Sequence, residues 1–178
     1  MRRFQGGDTA AFETLYARHR GPLYRYFVRQ VARNAVDDLF QDVWLRIIKN
    51  QARYRPDAPF AAYLFRIAHN VLVDHYRREG RAPELTSVEQ LDAPDVGAGP
   101  ERELTQFELR ATITRALTDL PAAQREAFLL HEEAGLTLEQ IAEVVGTGRE
   151  TIKSRLRYAL KRLRQDLLES SPADAGQA

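Results

Sequence analysis

The chain has no cysteine in its 178 residues, which rules out disulfides, thiolate chemistry and cysteine-ligated metals. It also lacks long apolar runs. The best candidate for a bilayer span is interrupted by Arg66 and His69, and the opening MRRFQGGDTAAFE has no apolar secretory core. A cytoplasmic chain is therefore expected. Strand signals are missing: there is no sustained period-two alternation and no Asn-Gly or Asp-Gly hairpin turn. The histidines His19, His69, His75 and His131 are scattered, without metal-ligand spacing, a phosphate loop or a nucleophile elbow. His69 with Asp74 or His75 reads as helix surface. An enzyme is thus poorly supported, and no cofactor or metal is expected. Net charge is small, at +1, so total charge is silent on nucleic acid.

What is present is an ordinary globular composition, 44% hydrophobic and 29% charged, with the charge segregated along the chain. Between Arg81 and Arg110 three basic residues face seven acidic ones; between Arg149 and Arg164 seven basic residues face one acid. Separate parts of the chain are expected to touch separate partners.

The organising stretch runs from Val36 to Arg78. A helix over Asp37–Asn50 carries two apolar rows, Leu39, Val43, Ile47 and Phe40, Trp44, Ile48. Its opposite face holds Asp38, Gln41, Asp42, Leu45, Arg46 and Lys49. Leu45 is an apolar residue on a polar face, which marks a meeting surface. A second helix over Phe60–Arg78 has a core stripe of Tyr63, Leu64, Ile67, Ala68, Val71 and Leu72. Its other faces carry Phe65, Arg66, His69, Asn70, Tyr76, Arg77 and Arg78. Between the helices, Gln51–Pro59 supplies Tyr54, Arg55 and Asp57. Aromatic faces, a phosphate-binding Arg and a base-reading carboxylate suit unstacked single-stranded bases.

Before this stretch, Asp8 is expected to N-cap a helix with Phe12, Leu15 and Tyr16. Gly21-Pro22 should interrupt it, a second helix following through Leu23, Tyr26, Phe27 and Val31 up to a break at Asn34. After it, residues 80–100 are rich in Gly, Pro and acids and read as a flexible linker. Such a chain of about twenty residues spans on the order of 25 Å r.m.s..

Helices resume at Glu101 with Leu104, Phe107, Ile113, Ala116, Leu117 and Leu120. Pro121 divides them from Ala122–Glu133, and Gly135 suits a C-cap. Thr137 with Gln140 is a capping box for a short helix of Leu138, Ile141, Val144 and Val145. Gly146-Thr147-Gly148 makes a turn, and Thr147 with Glu150 forms a second box opening a long helix to about Glu169. That helix buries Ile152, Leu156, Ala159, Leu160 and Leu163. Arg149, Thr151, Lys153, Ser154, Arg157, Tyr158 and Lys161 point outward. The pattern is a helix-turn-helix with a basic second helix, suited to phosphates and guanine edges in a major groove.

DDLFQDVWLRI followed by YRPDAPFAAYLFRIAHN resembles the second conserved region of bacterial RNA polymerase sigma factors, in the small extracytoplasmic-function (ECF) branch. LTLEQIAEVVGTGRETIKSRLRYALKRLR resembles their fourth region. Departures are Tyr63 for a common tryptophan, Asp42 for glutamate, Trp44 for phenylalanine, a variable slot at His69, and Tyr158-Ala159 in the second helix-turn-helix segment. The resemblance implies an all-α chain of two small helical domains joined by a flexible linker. Residues 1–79 would dock on core polymerase and melt the −10 element, 80–100 would be an acidic linker directed toward the RNA exit path, 101–170 would bind the −35 element, and 171–178 would form a disordered tail. Carried over by position, Asp38, Gln41, Asp42, Leu45 and Arg46 would dock on polymerase. Tyr54, Arg55, Asp57, Phe60 and Asn70, with Arg66 and Arg77 on phosphate, would take the −10 strand. Core polymerase and promoter DNA are the implied partners, and an anti-sigma factor often holds members of the family. From the residues alone, a stand-alone helix-turn-helix regulator with a sensing or dimerising N-terminal domain remains the rival reading.

Overall fold

The computed structural model describes residues 1–55, 57–80 and 112–169. Expectations for most of the linker, for the helix opening at Glu101 and for the tail lie outside these residues. Among the described residues every regular element is helical. In chain order they are α1 (Arg2–Gln5), α2 (Thr9–Val28), α3 (Arg33–Lys49), a 3₁₀ turn (Gln51–Arg53), α4 (Phe60–Arg78), α5 (112–118), α6 (Ala122–Glu132), α7 (Leu138–Val145) and α8 (Arg149–Glu169).

Asp8 caps α2 as anticipated, its carboxylate accepting from the Ala11 amide at 3.0 Å. The break expected at Gly21-Pro22 does not occur: α2 runs through Pro22 as one helix. A proline inside a helix removes one backbone bond. Here Leu23, Tyr26 and Phe27, all at 0% exposure, anchor the C-terminal half in the core and keep it helical. The chain breaks instead between Val28 and Arg33, and Asn34 already belongs to α3.

α4 has the bounds expected, but its buried band is wider. Phe65 and Tyr76, read as outward, are buried at 0% and 4% exposure. Phe65 meets Tyr26 edge-on at 5.4 Å, and the Tyr76 hydroxyl donates to the Gln30 carbonyl at 2.7 Å. The physical reason is that α4 packs against α2, α3 and α7 at once, so a single stripe cannot satisfy it. Two outward corrections balance these. Ile48 of α3 is 41% exposed, and Leu160 of α8 is 49% exposed. The buried α8 residues Ile152, Leu156, Ala159 and Leu163 recur at helical spacing, and Leu160 lies one step round from that stripe.

One apolar cluster joins both halves of the chain. It contains Leu23, Phe27, Val43, Phe65 and Leu72 from the first half and Leu129, Leu130, Ile141 and Ile152 from the second. A smaller cluster of Ala116, Leu117, Leu120, Ala159 and Leu163 seats α5 against α8.

Candidate functional site

On the outer face of α3, Asp38, Gln41 and Leu45 are exposed, while Asp42 and Arg46 are half-buried. Arg46 donates to both Asp42 oxygens, at 3.1 and 2.9 Å, and approaches Asp74 of α4 at 3.6 Å. The Asp42 bond is the main reason the Arg46 pKa lies above its ordinary value. The pair is thus a fixed ionic plate beside two exposed apolar side chains, Leu45 at 52% and Ile48 at 41%. Mixed apolar and ionic surface of this kind fits a protein partner. Sequence reasoning missed Ile48 by assigning it to the core; the i, i+3 spacing from Leu45 was the available signal.

The loop after α3 rests on rings. Tyr54 is only 8% exposed, with its ring centroid 4.9 Å from Tyr63 and 6.3 Å from Phe60. Its hydroxyl donates to the Ala58 carbonyl at 3.4 Å, closing the loop on itself. Phe60, half-buried, meets His19 edge-on at 5.2 Å. Burial, then the Arg18 charge, pulls the His19 pKa down, favouring a neutral ring there. Tyr54 therefore serves as floor rather than as an open stacking surface, and Arg55 and Asp57 project from it, exposed. On α4, Arg66, Asn70 and Arg77 are exposed and follow one face at i, i+4 and i+11. Two cations and an amide along a line suit a phosphate backbone with one base-reading group.

The helix-turn-helix forms as expected, with one change. The Thr137 hydroxyl accepts from the Gln140 amide at 3.3 Å, and Gln140 Oε1 accepts from the Thr137 amide at 3.0 Å. Gly146 closes α7 in the left-handed region at φ 69, letting the Thr147 amide reach the Ala142 carbonyl at 3.0 Å. The second capping box, Thr147 with Glu150, does not form among the described residues. Glu150 instead pairs with Arg149 at 2.7 Å and Lys153 at 3.6 Å. Arg149 also donates to Glu139 of α7, which is the main reason the Glu139 carboxyl is held below its usual range. Thr151, Lys153, Arg157 and Tyr158 are exposed and Ser154 half-buried, and the Arg157 guanidinium lies 5.1 Å from the Tyr158 ring centre.

The two halves meet where α7 crosses α4 and α6 faces α2. Glu126 Oε1 accepts from the Tyr26 hydroxyl at 2.8 Å and lies 2.7 Å from His69 Nδ1. Glu133 accepts from Arg25 at 2.7 Å and from Arg29, and Arg66 approaches Glu143 at 3.6 Å. Arg125 is buried at 2% exposure, donating to the Thr118 carbonyl at 3.1 Å; desolvation pulls its pKa down. None of these partners was anticipated. Acids on α6 look like ordinary surface acids until the packing aims them at α2 and α4.

Comparison with known proteins identifies two family regions on the chain. The model for sigma-70 region 2 matches residues 15–82, and that for sigma-70 region 4 matches residues 116–165. The chain is 28% identical over 164 residues to the ECF RNA polymerase sigma-E factor of Haemophilus influenzae, covering 88% of this chain and 87% of that protein. Against the ECF RNA polymerase sigma-E factor of Escherichia coli K12 the identity is 29%, with 88% and 86% covered. CnrH, solved in complex with the cytosolic domain of CnrY, aligns at a TM-score of 0.68 and 25% identity, covering 96% of each chain. The sigma factor RpoE of Bartonella quintana, solved with the anti-sigma factor NepR, shares the fold at a TM-score of 0.72 and 23% identity, over 89% of this chain and 97% of that one. With region 2 and region 4 present in order on one helical chain, the protein belongs to the ECF branch of the sigma-70 family, the alternative sigma factors that direct RNA polymerase to promoters.

Proposed function

We propose that this sigma factor divides its work as 1–79 for polymerase docking and −10 capture, 80–100 as linker, 101–170 for the −35 element, and 171–178 as a tail. The observation that carries this division is the order of the two matched regions on one chain. It acts in the cytoplasm, where its polymerase is, and as a non-enzymatic specificity subunit. Asp38, Gln41, Asp42, Leu45 and Arg46 dock on core polymerase, joined by Ile48. Arg149, Thr151, Lys153, Ser154, Arg157 and Tyr158 enter the −35 major groove. Arg55, Asp57 and Asn70 then take a base flipped from the −10 strand, over the floor of Tyr54 and Phe60, while Arg66 and Arg77 hold phosphates. Unstacking a base costs a few kcal/mol, offset by pocket contacts and by anchorage to polymerase.

The positions −35 and −10 lie about 25 base pairs apart, on the order of 85 Å of B-form DNA. A compactly packed chain of this length has a radius of gyration of about 16 Å. Both elements cannot be read in that packing, so the halves part on the promoter. Two solved relatives carry a bound partner, the cytosolic domain of CnrY and the anti-sigma factor NepR. Those complexes support an anti-sigma factor as a further partner of this chain.

The test is transcription by core polymerase with and without this chain, with permanganate footprinting of the −10 region. Chain-dependent transcripts with reactive unpaired thymines are expected. A duplex footprint by the free chain with no binding to core would overturn the reading in favour of a stand-alone regulator.

A further inference from the structure

Residues 1–14 precede the region 2 match. Within them, α1 has only four residues and buries none of them. It is nevertheless held in place. Phe4 lies 4.9 Å from Phe12, and Arg3 pairs at 2.8 Å with Asp8, the cap of α2. At the end of α1, Gln5 reaches across the fold. Its side-chain Nε2 donates to the Gln51 carbonyl at 2.7 Å and to the Tyr54 carbonyl at 2.9 Å. Both amide hydrogens are thus spent on the two ends of one turn, 46 and 49 residues away.

The Tyr54 ring anchors one end of that turn in the core, but its backbone is lightly bonded. Its backbone bonds are Arg53 to Asn50 at 3.0 Å and Tyr54 to Gln51 at 3.3 Å, the second long for an amide bond. A single 3₁₀ turn has poor hydrogen-bond geometry and no neighbouring turn to reinforce it. An outside donor bridging both ends therefore fixes the backbone that the Tyr54 ring leaves free to shift, and with it the direction in which Arg55 and Asp57 leave Tyr54.

We propose that Gln5 is a positioning residue for −10 recognition: its amide staples Gln51 to Tyr54 and presets the loop that reads the base. The proposal rests on the reading of Gln51–Pro59 as the −10 loop. The chemistry is specific to a donor. A carboxylate at this position would face two carbonyl oxygens, whereas an ammonium of similar reach would still donate.

The experiment uses holoenzyme assembled with core polymerase, on promoters sharing one −35 element and differing at single −10 bases. The readout is the ratio of open-complex rates on preferred and substituted promoters. For Gln5→Met, which keeps length and removes the donors, the ratio should fall about three- to tenfold. The −35 footprint and core affinity should stay unchanged, and Gln5→Lys should restore the ratio. An unchanged ratio in Gln5→Met, alongside a collapse in Asp57→Ala, would overturn the proposal and leave the loop reading standing. No change in either variant would remove the loop reading and the proposal together. If Phe4→Ala lowers the ratio as much as Gln5→Met and Gln5→Lys restores nothing, Gln5 merely tethers the N-terminus and the proposal fails.

Discussion

The Asp42 carboxylate accepts twice from Arg46, yet 38% of its side chain remains exposed. Such an i, i+4 pair on a helix surface contributes about 0.3–0.5 kcal/mol. Asp42→Arg should therefore leave the melting temperature nearly unchanged while abolishing binding to core polymerase, as a pull-down with purified core would show. Retained affinity would refute the docking face. Tyr26 makes a second case. Burial, then the Glu126 charge, pushes its pKa well above the ordinary 10.0. An unfolded tyrosine releases its proton near pH 10, whereas this one keeps it. The contribution to stability is full below that pH and is lost as pH rises past it. Between pH 9 and 11 the melting temperature should fall more steeply for the natural chain than for Tyr26→Phe.

Among the elements, α8 carries the most exposed cationic surface. Arg157 is exposed and lies against Tyr158, so it is free to reach DNA. Arg157→Ala should cost about 1–3 kcal/mol of promoter binding if it reads a base, relaxing one −35 position; a uniform loss across sequences would mark a phosphate contact instead. Binding of holoenzyme to a −35 substitution series distinguishes the two. Gly146 ends α7 and opens the turn to α8. At φ 69 a side chain is strained, so Gly146→Ala should lower stability by about 1–2 kcal/mol, read in thermal melts, and weaken −35 binding with it. The periodicity of α3, α4, α7 and α8 was legible in advance because each buries a stripe at regular spacing. α2 was misjudged at Pro22, since local propensity cannot weigh the burial of Tyr26 and Phe27 beyond it. The outer face of α3 was legible through Leu45, but Ile48 beside it was not, because an apolar residue next to a core row looks like core.

In the molecule as a whole, Glu133 ties the two halves together by charge. Its side chain is 9% exposed and takes both Arg25 and Arg29, so a reversed charge there meets two cations at close range. Glu133→Arg should weaken the closed packing by about 2–4 kcal/mol and raise the radius of gyration in small-angle scattering, with each half still helical. An unchanged radius would show that the apolar contacts of α4 with α7 suffice alone. The composition, the helical periods, the capping box at Thr137 and the two sigma-like motifs were settled by the order of residues, because each depends on neighbours within a few positions. The pairing of Glu126 with Tyr26 and His69, the reach of Gln5 to the loop, and the burial of Phe65, Tyr54 and Arg125 were decided only in three dimensions. They join residues tens of positions apart, or depend on how many helices crowd one face, and no local pattern encodes either.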